Sequence, residues 1–211
     1  MNLSRKSSSV ALVACATTLA VALSGCGSDT GTSSASTSTP SASDVFTPPP
    51  VAEDTAPAGG CPTAAPAEGV APEWTLSGAT GSVAVTGSTD TAAPSIKVTA
   101  PFSVTETQVH TLKAGDGEVV AETATVDVCY MGVNGRDGSV FDSSYQRGAP
   151  VDFPLNGVVA GFQKAIAGQK VGSTVGVAVT SADGYPEGQP AAGIQPGDTL
   201  IFAIKILNAS R

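Results

Sequence analysis

The 211-residue chain offers few side chains that could act as nucleophiles, bases or metal ligands in usable combinations. Its single histidine, His110, lies in a Thr/Gln/Val strand pattern, so neither a Ser-His-Asp triad nor a multi-histidine metal site can be assembled, and it reads as a surface residue. None of the four cysteines, Cys15, Cys26, Cys61 and Cys129, forms a pair at zinc-finger spacing. Gly115-Asp116-Gly117 lacks both the lysine of a phosphate-binding loop and the strand-glycine-helix context of a nucleotide fold, and reads as a turn. No metal or cofactor is expected. What stands out is the aromatic placement: of the chain's six Phe, three Tyr and one Trp, the rings at Tyr130, Phe141, Phe153, Phe162, Tyr185 and Phe202 fall in its second half. In a β domain such rings are ordinarily core residues, and the chemistry open to them beyond packing is non-covalent.

The words around those rings are more specific. VDVCYMG at 126–132 is followed by DGSVFDSSYQRGAPVDFPL at 137–155, VVAGFQKAIAGQKVGS at 158–173, DGYPEGQPAAGI at 183–194 and GDTLIFAIKIL at 197–207. In that order they resemble the FKBP-type peptidyl-prolyl cis-trans isomerase domain over essentially its whole length. The FDSS element, the V-V-x-G-F helix start and the terminal L-x-F strand match in sequence and spacing. The resemblance implies an enzyme that accelerates rotation about X-Pro bonds by non-covalent binding, without metal or cofactor. It places Tyr130, Phe141 and Phe202 as pocket walls and Phe162 as the floor, with Val158 and Val159 leading into the helix. Asp142 becomes the polar group beside the pocket, with Arg147 as its ion-pair partner. Tyr185 offers its hydroxyl to a substrate carbonyl from an overhanging loop, and Ile194 closes the rim. Phe162 stands where many members carry tryptophan, Val151 where a larger aromatic is common, and Pro186 after Tyr185 where glycine is usual. The last two alter the rim. The implied partners are proline-containing segments of exported proteins and a macrolide inhibitor. A non-catalytic peptide-binding module or chaperone on the same fold is the alternative.

The elements that must position these residues are short alternating runs between turn signals, which predict strands. The expected strands are 82–85, 95–99, 102–112, 125–132, 140–143, 151–155, 174–180 and 199–207. Asn134-Gly135-Arg136-Asp137-Gly138 predicts a hairpin loop. Only 159–168 reads as a helix, with Val159, Phe162, Ala165 and Ile166 on one face and Gly168 as its stop. This pattern predicts an α+β domain, an antiparallel sheet wrapped around one short helix, and alternation puts Val126, Val128 and Tyr130 on one face with Asp127 and Cys129 on the other.

The remainder of the chain concerns location. Arg5 and Lys6 precede the uncharged stretch VALVACATTLAVAL, too short for a membrane span of about 20 apolar residues. It ends in Leu23-Ser24-Gly25-Cys26, which resembles a bacterial lipobox, so residues 1–25 are expected to be a lipoprotein signal peptide and Cys26 the lipidated N-terminus. Residues 26–70, nearly all Ser, Thr, Ala, Pro, Gly and Asp, are expected to form a disordered tether. A β extension over 71–104 and the isomerase domain over 105–211 follow. Loss of Arg5 and Lys6 would take the net charge from −8 to −10, an acidic balance that argues against nucleic acid and leaves membrane attachment to the lipid. The protein is expected at the outer side of the cell membrane, as a monomer. There Cys61 and Cys129 either pair, as location and parity allow, or remain as two free thiols.

Overall fold

Large and small apolar residues alternate along two central strands, and that alternation decides how the chain layers. The computed structural model describes residues 60–210; the expectations for the signal segment, Cys26 and the tether up to residue 59 lie outside the described residues. A six-stranded antiparallel sheet contains β4 (Gln108–Lys113), β5 (Thr125–Asn134), β6 (Val140–Ser143), β7 (Val151–Pro154), β8 (Thr174–Val179) and β9 (Leu200–Ser210). Its order is β4-β8-β9-β5-β6, and β7 shares with β6 the free side of β5: β7 pairs residues 125–128 and β6 pairs 131–133. A smaller antiparallel sheet has the order β1-β2-β3, with β1 at Trp74–Ser77, β2 at Thr80–Thr86 and β3 at Ser95–Ser103.

Every position of β8 is buried because both faces of the large sheet are covered. Val175, Val177 and Val179 on β8, with Leu200, Phe202, Ile204 and Ile206 on β9, enter the main core beneath α2 (Ala160–Ile166). The intervening Ala178, Ile201 and Ala203 enter a second core with Val83, Val85 and Phe102 of the small sheet. Gly176 belongs to that second layer, since a Cβ there would lie 2.8 Å from Trp74 Cε3. Residues 71–104 therefore form a packed layer of the domain.

The main helix is two turns long and stops as the sequence predicts, with Gly168 at φ +79°. Its Gly161 rides against Val179, whose Cγ1 would be 2.2 Å from an added Cβ, so glycine is required for this approach. A one-turn helix, α1 (Ser144–Arg147), was not expected; the Ser143 side chain accepts from the Gln146 amide, and Gly148 closes it at φ +68°. Four-residue β1 was not expected either.

The continuous strand expected over 102–112 is instead two strands in two sheets. The Phe102 amide donates to Gly135 O at 2.8 Å and the Val104 amide to Thr199 Oγ1 at 3.3 Å, drawing the chain off the small sheet before β4 begins. Packing also begins earlier than the expected tether boundary at 70. Cys61 is buried, and the structure bonds its sulfur to Cys129 on the outward face of β5, where Tyr145 and Ala93 complete a third small core.

Candidate active site

The rings at 130, 141, 153, 162 and 202 meet edge to face around α2. Phe162, the third residue of α2, touches three others, with centroids 5.8 Å from Tyr130, 5.8 Å from Phe153 and 5.4 Å from Phe202. Phe141 stands perpendicular to Phe202 at 5.6 Å, and Tyr130 lies 5.9 Å from Phe153. Such tilted pairs place ring edges against ring faces and fix the orientations of all five. Phe153 is a member that sequence reasoning left outside the site; its i+2 relation to Val151 on a strand packed against β5 was the available signal.

Local backbone chemistry produces this arrangement. In the β5–β6 pair, Gly132 opposes Asp142 and Val133 opposes Val140, so Phe141 is the extra residue of a bulge. Its ring lies over Gly132: a Cβ there would meet Phe141 Cζ at 2.5 Å and Phe202 Cε1 at 3.0 Å. Gly132 is thus a second site residue missed from the sequence, required because two rings occupy the space above it. The FDSS serines hold the other end. Ser143 caps α1, while Ser144 Oγ accepts from the Tyr130 amide at 2.8 Å and donates to the Tyr130 carbonyl at 3.3 Å.

The polar group is a triad. The Tyr130 hydroxyl donates to Asp142 Oδ2, Arg147 Nη1 pairs with Asp142 Oδ1 at 2.5 Å, and Arg147 Nη2 lies 3.4 Å from the Tyr130 oxygen. The Arg147 guanidinium carbon also stands 6.0 Å from the Tyr130 ring centroid, at the outer limit of a cation–π contact. Burial raises the Tyr130 phenol to about 12, with its bond to the Asp142 carboxylate adding to the rise. Partial burial pushes Asp142 upward, but the bonds from Tyr130 and Arg147 together with the Arg147 charge outweigh it and hold the carboxyl below its usual range. At neutral pH the site therefore presents a neutral phenol, an ionised carboxylate and a cation.

The structure brings the other expected residues to the same core with differing exposure. Val151, Val158, Val159 and Tyr185 are half-buried against it. Ile194, expected at the rim, is 2% exposed and lies within the core. His110 stacks on Trp74 at 5.6 Å, far along the sheet from the triad's strands, on the opposite edge strand β4. Among the described residues no group of three or more His, Cys, Asp or Glu side chains could hold a metal ion, and no helix is long and apolar enough to cross a membrane.

Residues 116–207 match the model for FKBP-type peptidyl-prolyl cis-trans isomerase. A probable FK506-binding protein of Corynebacterium glutamicum is 39% identical over 98 residues, 45% of this chain and 80% of that protein. The chain belongs to the FKBP-type peptidyl-prolyl cis-trans isomerase family. The FKBP-type 22 kDa peptidyl-prolyl cis-trans isomerase of Escherichia coli is 38% identical over 100 residues, 47% of this chain, and the chain spans 48% of that relative's length. The crystal structure of FkpA from Escherichia coli is 32% identical with a TM-score of 0.45, covering 49% of this chain and 48% of that one.

Proposed function

We propose that the chain accelerates cis-trans rotation about X-Pro bonds in exported or envelope proteins, holding the proline ring over Phe162 between Tyr130, Phe141 and Phe202. The observation that carries this reading is the continuous edge contact of those rings, bordered on one side by the Tyr130-Asp142-Arg147 group.

Rotation about an X-Pro bond faces a barrier near ~20 kcal/mol because amide conjugation must be broken. In the twisted transition state the carbonyl loses part of its polarity, so transfer from water into an apolar box costs it less than it costs the planar ground state. That difference is what catalysis requires. A thousandfold acceleration needs only about 4 kcal/mol. Displacement of water by the rings, placement of the proline over Phe162 and a hydrogen bond from the Tyr185 hydroxyl to the substrate carbonyl act together here. Asp142, ionised and engaged by Tyr130 and Arg147, orients the Tyr130 wall and sets the local field; no proton transfer is assigned to it.

The enzyme acts as a monomer, attached to the outer face of the cell membrane through a lipidated Cys26, with proline-containing segments as substrates and a macrolide as competitor for the ring box. The order of basic flank, apolar core and lipobox supports this location, and so does the Cys61–Cys129 pairing, which fits an oxidising compartment. A proline tetrapeptide isomerisation assay with and without a macrolide tests the activity. Acceleration suppressed by the macrolide is the expected result, and peptide binding without acceleration would identify a non-catalytic peptide-binding module. Cys26→Ala should abolish lipid labelling and shift the protein out of the membrane fraction; unmodified wild-type protein found only in the soluble fraction would overturn the anchor.

A further inference from the structure

The loop that carries Tyr185 is tied down at both ends by carboxylates, and the two ties lead to different places. At the far end Asp198, 8% exposed, accepts from Asn134 Nδ2 at 2.7 Å and from the Gln195 amide at 2.8 Å, and Arg136 reaches from it to the Gly193 carbonyl at 3.1 Å. That end is fastened to the β5–β6 hairpin. At the near end Asp183 Oδ2 accepts from Lys164 Nζ at 2.7 Å and from Thr107 Oγ1 at 2.6 Å. Lys164 stands two residues after Phe162 on α2, and Asp183 two residues before Tyr185. One carboxylate therefore links the helix bearing the floor ring to the loop bearing the phenol.

The turn between them transmits the tie. Ser181–Asp183 is a single 3-10 turn capped by Thr180, whose hydroxyl accepts from the Asp183 amide, and the Thr180 amide itself donates to Thr107 Oγ1 at 3.2 Å. Ser181 Oγ then donates to the Tyr185 carbonyl at 3.3 Å, so the backbone at Tyr185 is bonded back to the turn that Asp183 fixes. Thr107 lies in the link before β4, ahead of the stretch that matches the family.

We propose that Asp183 is a positioning residue, acting with Lys164 and Thr107 to set Tyr185 against the Phe162 floor and thereby the strength of the Tyr185 contribution to isomerisation. The proposal rests on the isomerase reading above, because the placement of Tyr185 affects a rate only if the ring box takes the proline. Asp183 works through Tyr185 and touches no substrate. Lys164 is half-exposed while the Asp183 side chain is 23% exposed, so the tie is partly shielded from solvent, and Thr107 supplies a second donor to the same oxygen.

Full-length Asp183→Asn, Lys164→Met and Lys164→Arg proteins, each shown to be folded by thermal melting, are compared for kcat/KM on a proline tetrapeptide and for amide exchange over residues 181–194. Asp183→Asn and Lys164→Met are expected to speed exchange in that loop and to lower kcat/KM about three- to tenfold, the range open to one partly shielded ion pair with its hydrogen bond. Lys164→Arg should keep both near wild type. In a Tyr185→Ala background Asp183→Asn should cost almost nothing further, since the residue it positions is gone. An undiminished loss in that background, or loop exchange unchanged by Asp183→Asn, overturns the proposal. If Asp183→Asn fails to fold, Thr107→Val removes one donor to the same oxygen and is read in the same two measurements. Should the wild type not accelerate isomerisation, the enzyme reading falls by itself, while exchange over 181–194 still decides whether Asp183 holds the loop.

Discussion

Among individual residues, the division of labour between rings and charges can be tested directly. If the box works by displacing water from the twisted amide, Phe141→Ala or Phe202→Ala should lower kcat/KM more than Asp142→Asn, which keeps the shape and part of the hydrogen bonding. Truncating a packed phenylalanine costs ~3 to 5 kcal/mol of stability, so each variant is compared only where a denaturant melt shows it folded. The ionisation states add a second expectation. Tyr130 stays neutral until about pH 12 and Asp142 is already ionised below the usual carboxylate range, so neither changes charge near neutrality and kcat/KM should be flat from about pH 6 to 8. A bell-shaped profile that Asp142→Asn removes would falsify the desolvation mechanism. The depressed Asp142 also has a stability consequence with a definite sign: its favourable interactions are fully present above the unfolded carboxylate value and are lost as pH falls through the lower folded value. Wild type should therefore hold a constant advantage over Asp142→Asn above about pH 5 that shrinks below about pH 4, measured by urea melts across that range. The side chain's 40% exposure makes this advantage modest, because solvent screens the pair.

For the secondary-structure elements, the least expected feature is α1, a single turn whose neighbours explain its position. Its Tyr145 is buried beside the Cys61–Cys129 bridge, with the phenol bonded to Ser88 at 2.8 Å, and the Cys61 amide donates to the Gly148 carbonyl at 3.3 Å. The turn that presents Arg147 to Asp142 is thus held from behind by residues 61, 88 and 93, all far away in sequence. A bridge across a sequence separation of 68 should contribute up to ~4 kcal/mol by restricting the unfolded chain. The Cys61→Ala, Cys129→Ala protein is expected to lose about 2 to 4 kcal/mol in urea melts and to become cleavable by protease around residue 61; unchanged stability and protease resistance would contradict that role. This also shows where the sequence was legible. Strands β5 to β9 and the helix with its Gly168 stop follow from alternation, spacing and turn chemistry, which are local. The break at 104–107, the four-residue β1 and α1 depend on partners from distant segments, such as Thr199 for Val104 and Ala93 with Cys61 for Tyr145, and no local pattern encodes them. The site divides in the same way. The family resemblance of the surrounding segments places Tyr130, Phe141, Phe162 and Phe202 in the pocket, whereas Gly132 and Phe153 matter because of what lies above and beside them once the strands pair.

On the scale of the whole molecule, the family match over 116–207 leaves out β4 and the entire small sheet. Its physical role follows from β8 and β9. A sheet with only one covered face would show polar residues at alternate positions, but here the second face carries Gly176, Ala178, Ile201 and Ala203, small or apolar side chains that leave room for another layer. Phe102 fills that room, 2% exposed among Val83, Val85 and Ile201, while its amide is bonded to Gly135 in the hairpin that leads to β6. The layer therefore supports the strand bearing Phe202 from behind, and the hairpin between the strands of Tyr130 and Phe141. Phe102→Ala opens a cavity in this second core and should cost ~3 to 5 kcal/mol. Because the ring box lies on the other face of the sheet, the folded fraction of that variant should keep a kcat/KM within about twofold of wild type, as expected for sites that share no direct contact. Removal of residues 71–103 should have a different outcome: the uncovered face of β8 and β9 becomes a contiguous apolar patch, and the protein should aggregate or bind a hydrophobic dye. Equilibrium unfolding and light scattering on the two variants decide the matter. A truncated protein that stays soluble, binds no dye and melts like wild type would show that the small sheet is an appendage, and that β8 and β9 need no second layer.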